Sequence, residues 1–217
     1  MIPKILKDIE NYLKEYQIQI SENIEGEGRG GSLKDEGSIK RALLENKKLN
    51  QHILSVEARG MGDMIVLDYD KKTKYVVDIK TSLGNNDNCF TKKGMVYAFT
   101  KLSIEKVPGS MNWKEFNNLI EENRADIFGK DYWFLCVDKK DSSNVLLRGA
   151  KQINAWTINR NPSNILQINW GKEKDLKPVK RTWDEAYDAI INKVKISLNG
   201  HWDSIPEEWK DEKYKKN

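Results

Sequence analysis

The chain predicts an α/β fold of the α+β kind, a mixed central sheet of about five strands flanked by helices, and three observations carry that prediction. Two apolar runs, 64–69 and 75–79, enclose a polar Asp-Lys-Lys-Thr-Lys turn, with β-branched and aromatic residues on both arms: a β-hairpin. Residues 132–138 (Tyr-Trp-Phe-Leu-Cys-Val-Asp) and 144–149 form a second pair of strand-like runs across a Lys-Lys-Asp-Ser-Ser turn. Around them lie segments whose apolar residues recur at helical spacing.

Residues 3–20 place Ile5, Leu6, Ile9, Leu13 and Tyr16 on one helical face, with Lys and Glu between them. The glycine-rich stretch 21–31 is expected to be a loop, one that either moves or lets a backbone approach a ligand closely. It is no P-loop, because no Gly-Lys-Ser/Thr follows. Ser32 reads as an N-cap, and Leu33, Ile39, Leu43 and Leu44 as the buried face of a second helix reaching about Asn50. Residues 53–59 suggest a short strand or connector, 83–88 an Asn/Gly loop, and 95–100 either a helix start or a strand. Residues 113–125 are helical, with Asn112 as cap and Phe116, Leu119 and Ile120 on one face. A further strand is expected at 165–170. A last helix spans 183–198, capped by Thr182, with Trp183, Ala186, Ala189, Ile190, Val194 and Ile196 on or near one side. The Lys-rich end, 210–217, reads as a frayed tail, while Trp202 and Trp209 suggest that the residues before it pack back.

A chain of 217 residues supports one substantial core and is short for two, so a single domain over 1–217 is expected. Charged residues make up 32% and the mean hydropathy is -0.73, which requires a broad polar surface. A net charge of +4 is compatible with a nucleic-acid partner without demanding one, so positive charge has to be arranged locally. No apolar run approaches the roughly 18 residues of a membrane span, and the first residues carry no signal-peptide core. Cys89 and Cys136 lack metal-ligand spacing, which makes a reduced cytoplasm the simplest expectation. His52 and His201, the only histidines, have no motif partners, which disfavours Ser/His hydrolases and histidine-metal nucleases.

Within the hairpin, Asp78 and Lys80 interrupt an otherwise apolar strand two residues apart, so their side chains share a face. Asp63 stands at the mouth of the first arm. It reaches the same end of the hairpin if paired residue numbers sum to an odd value, which a turn of two or four residues gives and one of three or five does not. Two carboxylates and a lysine converging at a sheet end suit metal-dependent phosphodiester cleavage. Hard oxygen ligands hold Mg²⁺, and an ammonium steadies the attacking water or the developing charge. An isolated Asp-x-Lys is more often a solvent-facing pair on a half-exposed strand. Val76, Val77 and Ile79 argue for a strand covered on both faces, where an unpaired charge is costly.

Asp63, a spacer, then Asp78-Ile79-Lys80 resemble the motif of the PD-(D/E)XK nucleases in order and spacing. The run Val77-Asp78-Ile79-Lys80-Thr81-Ser82, followed by a polar loop and Phe90-Thr91-Lys92-Lys93-Gly94, is most similar to the EcoRV and HincII branch of the type II restriction endonucleases. The resemblance covers about residues 60–94. Gly62 departs from it by standing where the name-giving proline would be. It implies a restriction-endonuclease-like core, Mg²⁺ held by Asp63, Asp78 and the Ile79 backbone carbonyl, and Lys80 positioning or activating the attacking water. It also implies an accessory glutamate on the preceding helix. Glu36 is the candidate with Asp35 behind it, although a carboxylate one turn into a helix is more often a helix-dipole residue.

The implied activity is that of a type II site-specific deoxyribonuclease acting on double-stranded DNA as a homodimer and leaving 5′-phosphate and 3′-hydroxyl ends. A cognate DNA methyltransferase is expected in the same restriction-modification system. A structure-specific repair or phage nuclease of the same fold, or a non-catalytic DNA-binding module, are the alternatives. Asn85 and Asn86 suit base edges, and Lys92 and Lys93 suit phosphates. In 149–164 amide, basic and aromatic residues interleave, which makes Lys151, Gln152, Asn154, Arg160 and Asn161 candidate DNA contacts, as are Lys180 and Arg181 further on. Trp156 suits either base stacking or the core.

Overall fold

The computed structural model describes residues 2–16, 18–20, 28–55, 61–82, 87–158, 166–198 and 210. The chain divides into two compact units, 1–86 with 132–149 and 87–131 with 150–217. The single domain expected over 1–217 spans both.

The first unit is built on a five-stranded mixed sheet. Its strands are β1 (Ile53–Ser55), β2 (Met64–Leu67), β3 (Lys74–Ser82), β5 (Tyr132–Asp138) and β6 (Val145–Gly149), in that spatial order. Only β3 and β5 run parallel; the other neighbours are antiparallel. Two helices, α1 (Lys4–Tyr16) and α2 (Gly28–Glu45), complete the unit. Ile5, Leu6, Ile9 and Leu13 of α1 join Ile39, Ala42 and Leu43 of α2 in one buried cluster with Val77, Ile79, Trp133, Leu135, Val137 and Leu147. These strand residues all lie on one sheet face, so the helices and that face make the core. Burying a Val or Ile side chain is worth about 1.5–3 kcal/mol. A one-residue slip of β3 would turn Val77 and Ile79 away and drive Asp78 and Lys80 into the core, so burial fixes the register.

The connection between β2 and β3 completes that specification. Asp68 N–H donates to Thr73 O at 2.9 Å and Lys71 N–H to Asp68 O at 2.8 Å, which leaves a four-residue loop, 69–72. The Asp70 carboxylate accepts from the Lys72 and Thr73 amides and the Thr73 hydroxyl, and Lys71 takes the left-handed conformation. The ladder then pairs Met64 with Val77 and Leu67 with Lys74, the odd-sum register.

The second unit contains a three-stranded antiparallel sheet in the order β4 (Asp87–Cys89), β8 (Leu166–Asn169), β7 (Trp156–Ile158). With it are the helices α3 (Lys92–Phe99), α4 (Trp113–Asn123), α5 (Trp170–Glu173) and α6 (Trp183–Leu198). Asn112 and Glu115 form the capping box of α4. Thr182 and Glu185 exchange the same pair of bonds at α6. Trp156 is buried and stacks on Phe90 at 5.3 Å, so it belongs to the core of this unit.

Four expectations change. The second helix begins at Gly28, inside the stretch expected to be a loop, so Ser32 is not its N-cap. Glycine weakens a helix by about 1 kcal/mol each relative to alanine without forbidding it. That helix also ends at Glu45, short of Asn50. Leu44 is half-exposed because Ile39, Ala42 and Leu43 take the inward arc. On α6 the buried line is Trp183, Ala186, Tyr187, Ile190, Val194 and Leu198, and Ile196 faces outward. Residues 95–99 are helical, which resolves that segment. Trp202, Trp209 and the tail beyond Lys210 lie outside the described residues. Among the described residues, no helix is long and apolar enough to cross a membrane.

Gly62 has φ of +70°, and a Cβ there would come within 2.8 Å of Val76 Cγ1 and 2.9 Å of Val77 O. The glycine is needed against β3. Gly62→Ala is expected to cost about 1–3 kcal/mol in urea unfolding. Gly62→Pro, which would restore the proline of the resembling motif, is expected to be worse, because proline fixes φ near about −65°.

Candidate functional site

Asp63 leads into β2 and is tied down twice. Its amide donates to Val77 O at 2.9 Å, and its Oδ2 accepts from the Ile79 amide at 2.7 Å. Both bonds go to the outer residues of the Val77-Asp78-Ile79 triplet, so Asp63 stands opposite Asp78 as a direct continuation of the ladder. Lys80 lies on the same face. Its Nζ is 2.9 Å from Asp78 Oδ2 and 3.9 Å from Asp63 Oδ2. The strand is covered on both faces, with Val76, Val77 and Ile79 wholly buried and Asp78 8% exposed. That removes the reading of Asp78 and Lys80 as a solvent-facing pair.

The electrostatics follow from that burial. Loss of solvent pushes the Asp78 carboxyl up to about 7; the Lys80 ammonium opposes the shift, while Asp63 adds to it by charge and by a hydrogen bond between the two carboxyl groups. Burial alone would lower Lys80, but attraction to Asp78 and Asp63 outweighs it and the ammonium form is favoured. Glu36 of α2 is also raised, first by burial and then by the Asp63 charge, with Lys80 opposing. Lys40 also opposes the shift of Glu36, so the three carboxylates face two ammonium groups, Lys80 among all three and Lys40 beside Glu36, and the group carries an excess of negative charge when ionised.

Helix α2 enters this site with Asp35 and Glu36 in different roles. Asp35 is buried and pairs with Lys139 at 2.7 Å, in the turn after β5. Glu36 is the carboxylate that senses Asp63 and Lys80. Because α2 starts at Gly28, Glu36 lies beyond the first turn, where the helix dipole has faded.

Two participants escape a reading of the sequence. One is Lys139, whose buried partner is distant in the chain. The other is Tyr132, the first residue of β5, whose hydroxyl hydrogen-bonds to Asp78. Burial raises its phenol well above the ordinary value, with Asp78 and Asp63 adding to the shift. Only the parallel pairing of β3 with β5, which no local pattern announces, puts Tyr132 on the Asp78 face.

The structure brings Glu36, Asp63, Asp78, Ile79 and Lys80 together in the first unit. Lys92, Lys93, Lys151, Gln152, Asn154, Lys180 and Arg181 lie in the second unit. Several of their side chains are engaged within that unit. Lys92 donates to Met111 O and lies 4.7 Å over the Trp113 ring. Lys151 Nζ donates to Lys130 O at 2.8 Å. Arg181 holds the carbonyls of Lys151 and Ile153 and the Asn154 amide oxygen, while Asn154 Nδ2 donates to Lys177 O. Lys180 is exposed, and Lys93 and Gln152 are half-buried. Asn85, Asn86, Arg160 and Asn161 lie outside the described residues.

Mg²⁺ characteristically takes one or two protein carboxylates and completes its octahedron with water and phosphate. Among the described residues no group of three or more His, Cys, Asp or Glu is spaced to hold a metal by itself. The pair Asp63 and Asp78 meets the smaller requirement, and its raised protonation and surplus negative charge are what a divalent cation relieves.

An acid whose native pKa lies above its unfolded value contributes stability that is complete below the unfolded value and is lost as pH rises toward the native one. Asp78 is thus expected to make the metal-free protein lose urea resistance between about pH 4 and about pH 7, and Asp78→Asn is expected to flatten that slope. Lys139→Ala, which strips Asp35 of its buried ion-pair partner, is expected to cost about 3 kcal/mol in the same measurement. Comparison of the chain with protein-family models, with curated proteins and with solved structures finds no match, and the functional reading rests on the motif and this geometry.

Proposed function

We propose that the protein is a Mg²⁺-dependent endonuclease of the type II restriction class, with a restriction-endonuclease-like core, cleaving double-stranded DNA as a homodimer. The observation that carries the reading is the convergence of Asp63, Asp78 and Lys80 at one end of the β2–β3 hairpin, in the odd-sum register the motif requires. A structural ion pair needs one acid; this site sets two carboxyl groups, Asp63 and Asp78, beside Lys80, with the Glu36 carboxylate within electrostatic reach and Lys40 acting on Glu36.

In this proposal Asp63, Asp78 and the Ile79 carbonyl hold Mg²⁺, and Glu36 contributes through water. When bound, the ion supplies a more acidic water and neutralises charge on the phosphate. Lys80, protonated and flanked by both acids, is placed to orient the attacking water or to meet the charge that develops on the phosphate oxygens. In-line attack of that water on phosphorus, with departure of the 3′ oxygen, leaves 5′-phosphate and 3′-hydroxyl ends. Cutting both strands of a symmetric site with one such centre per chain calls for two copies about a two-fold axis. Lys180, an exposed candidate among the DNA-contacting lysines, is suited to phosphate contacts, which position without reading sequence.

Purified protein incubated with plasmid DNA at low salt tests this directly. Discrete fragments are expected with Mg²⁺ and none with EDTA, and Asp78→Ala or Lys80→Ala is expected to lower the rate by at least about 100-fold. Because an ionised Asp78 is needed to hold the cation, the rate at limiting Mg²⁺ is expected to rise with pH up to about 7 and then level. Binding of DNA without cleavage, indifferent to Asp78, would replace the proposal with a non-catalytic DNA-binding module. Preference for nicks or junctions over a defined duplex site would replace it with a structure-specific nuclease.

A further inference from the structure

We infer that Tyr132 is a positioning residue of the site, a neutral donor that holds the Asp78 carboxylate in place beside Asp63. The inference rests on the proposed reading of Asp63 and Asp78 as the cation-holding pair. It begins from register. In the parallel ladder Val76 stands beside Tyr132 and Asp78 beside Phe134, so Tyr132 shares the sheet face of Asp78, one strand over and one step back. Neighbouring strands lie about 4.8 Å apart, a gap that a tyrosine side chain spans, and its hydroxyl reaches the Asp78 carboxylate. The ring is buried, 3% exposed, and meets Phe134 edge-on at 5.2 Å.

The chemical class of this donor is what gives it a role. Lys80 also touches Asp78, at 2.9 Å, but an ammonium cancels the negative charge that attracts a cation. Any motion of Lys80 toward a phosphate or water also releases its hold. A phenol is an uncharged donor at neutral pH. It therefore orients the carboxylate without weakening its field. Partners that hold metal-ligating groups from behind commonly account for 10–100-fold in affinity.

The test measures Mn²⁺ binding to the full chain without DNA, by the electron paramagnetic resonance signal of the free ion. Tyr132→Phe removes the hydroxyl and keeps the ring, and Phe134→Leu disturbs the packing of that ring and keeps the hydroxyl. Tyr132→Phe is expected to weaken Mn²⁺ binding about tenfold, and Phe134→Leu to leave it within about twofold of wild type. Unchanged binding in Tyr132→Phe, or equal weakening in both variants, would overturn the inference while leaving the proposed function standing. Wild-type protein that binds no Mn²⁺ would overturn both. The expected Tyr132 effect in a protein that cuts no DNA would support the positioning role and remove the nuclease reading alone.

Discussion

Val77 and Ile79 are committed to the core, and because strand side chains alternate, Asp78 and Lys80 are thereby committed to the opposite face. Everything at the candidate site depends on that partition. The four-residue loop sets which residue of β2 meets which of β3, and Gly62 lets the chain approach β3 closely enough for Asp63 to extend the ladder. Asp63 then returns a side-chain bond to the Ile79 amide, so the first acid is held by the backbone on either side of the second. Site geometry and core packing are one constraint acting on two faces of a strand.

That arrangement sits uneasily in the absence of a cation. Asp78 is buried against a second carboxyl group, and both burial and charge favour holding a proton there. A fold selected for stability alone has no need of the second acid, since Lys80 and Asp78 already pair at 2.9 Å. Opposed charges of this kind in a covered site are what the proposed function is built on. Elsewhere the same unit shows what a structural solution looks like: Lys139 pairs with Asp35 at 2.7 Å and both side chains are nearly excluded from solvent.

What could be read in advance was whatever is local. The hairpin, its polar turn, the Asp78-x-Lys80 face and the caps at Asn112 and Thr182 are written in adjacent residues, and each is found where its pattern places it. The position of Asp63 was legible only as a condition on parity, because loop length is a geometric outcome of how Asp68 and Asp70 bind the turn. Tyr132 and Lys139 were not legible, since each matters through a partner more than fifty positions away that the sheet order supplies. The start of α2 was missed for another reason. Glycine content argues for a loop, yet the helix runs through it from Gly28. Arg181 and Asn154 illustrate the limit of composition: a basic and amide-rich stretch suits nucleic acid, and here those side chains bind the unit's own carbonyls and each other.

The central claim is that Asp63 and Asp78 are a cation-holding pair whose surplus charge Lys80 only partly balances. Crystals of the protein soaked in Mn²⁺ and measured at the manganese absorption edge test it most directly. The account predicts an anomalous peak within ligating distance of both carboxylates, lost in Asp78→Ala crystals. Well-ordered density for Asp63, Asp78 and Lys80 with no such peak, or manganese bound only elsewhere, would contradict it.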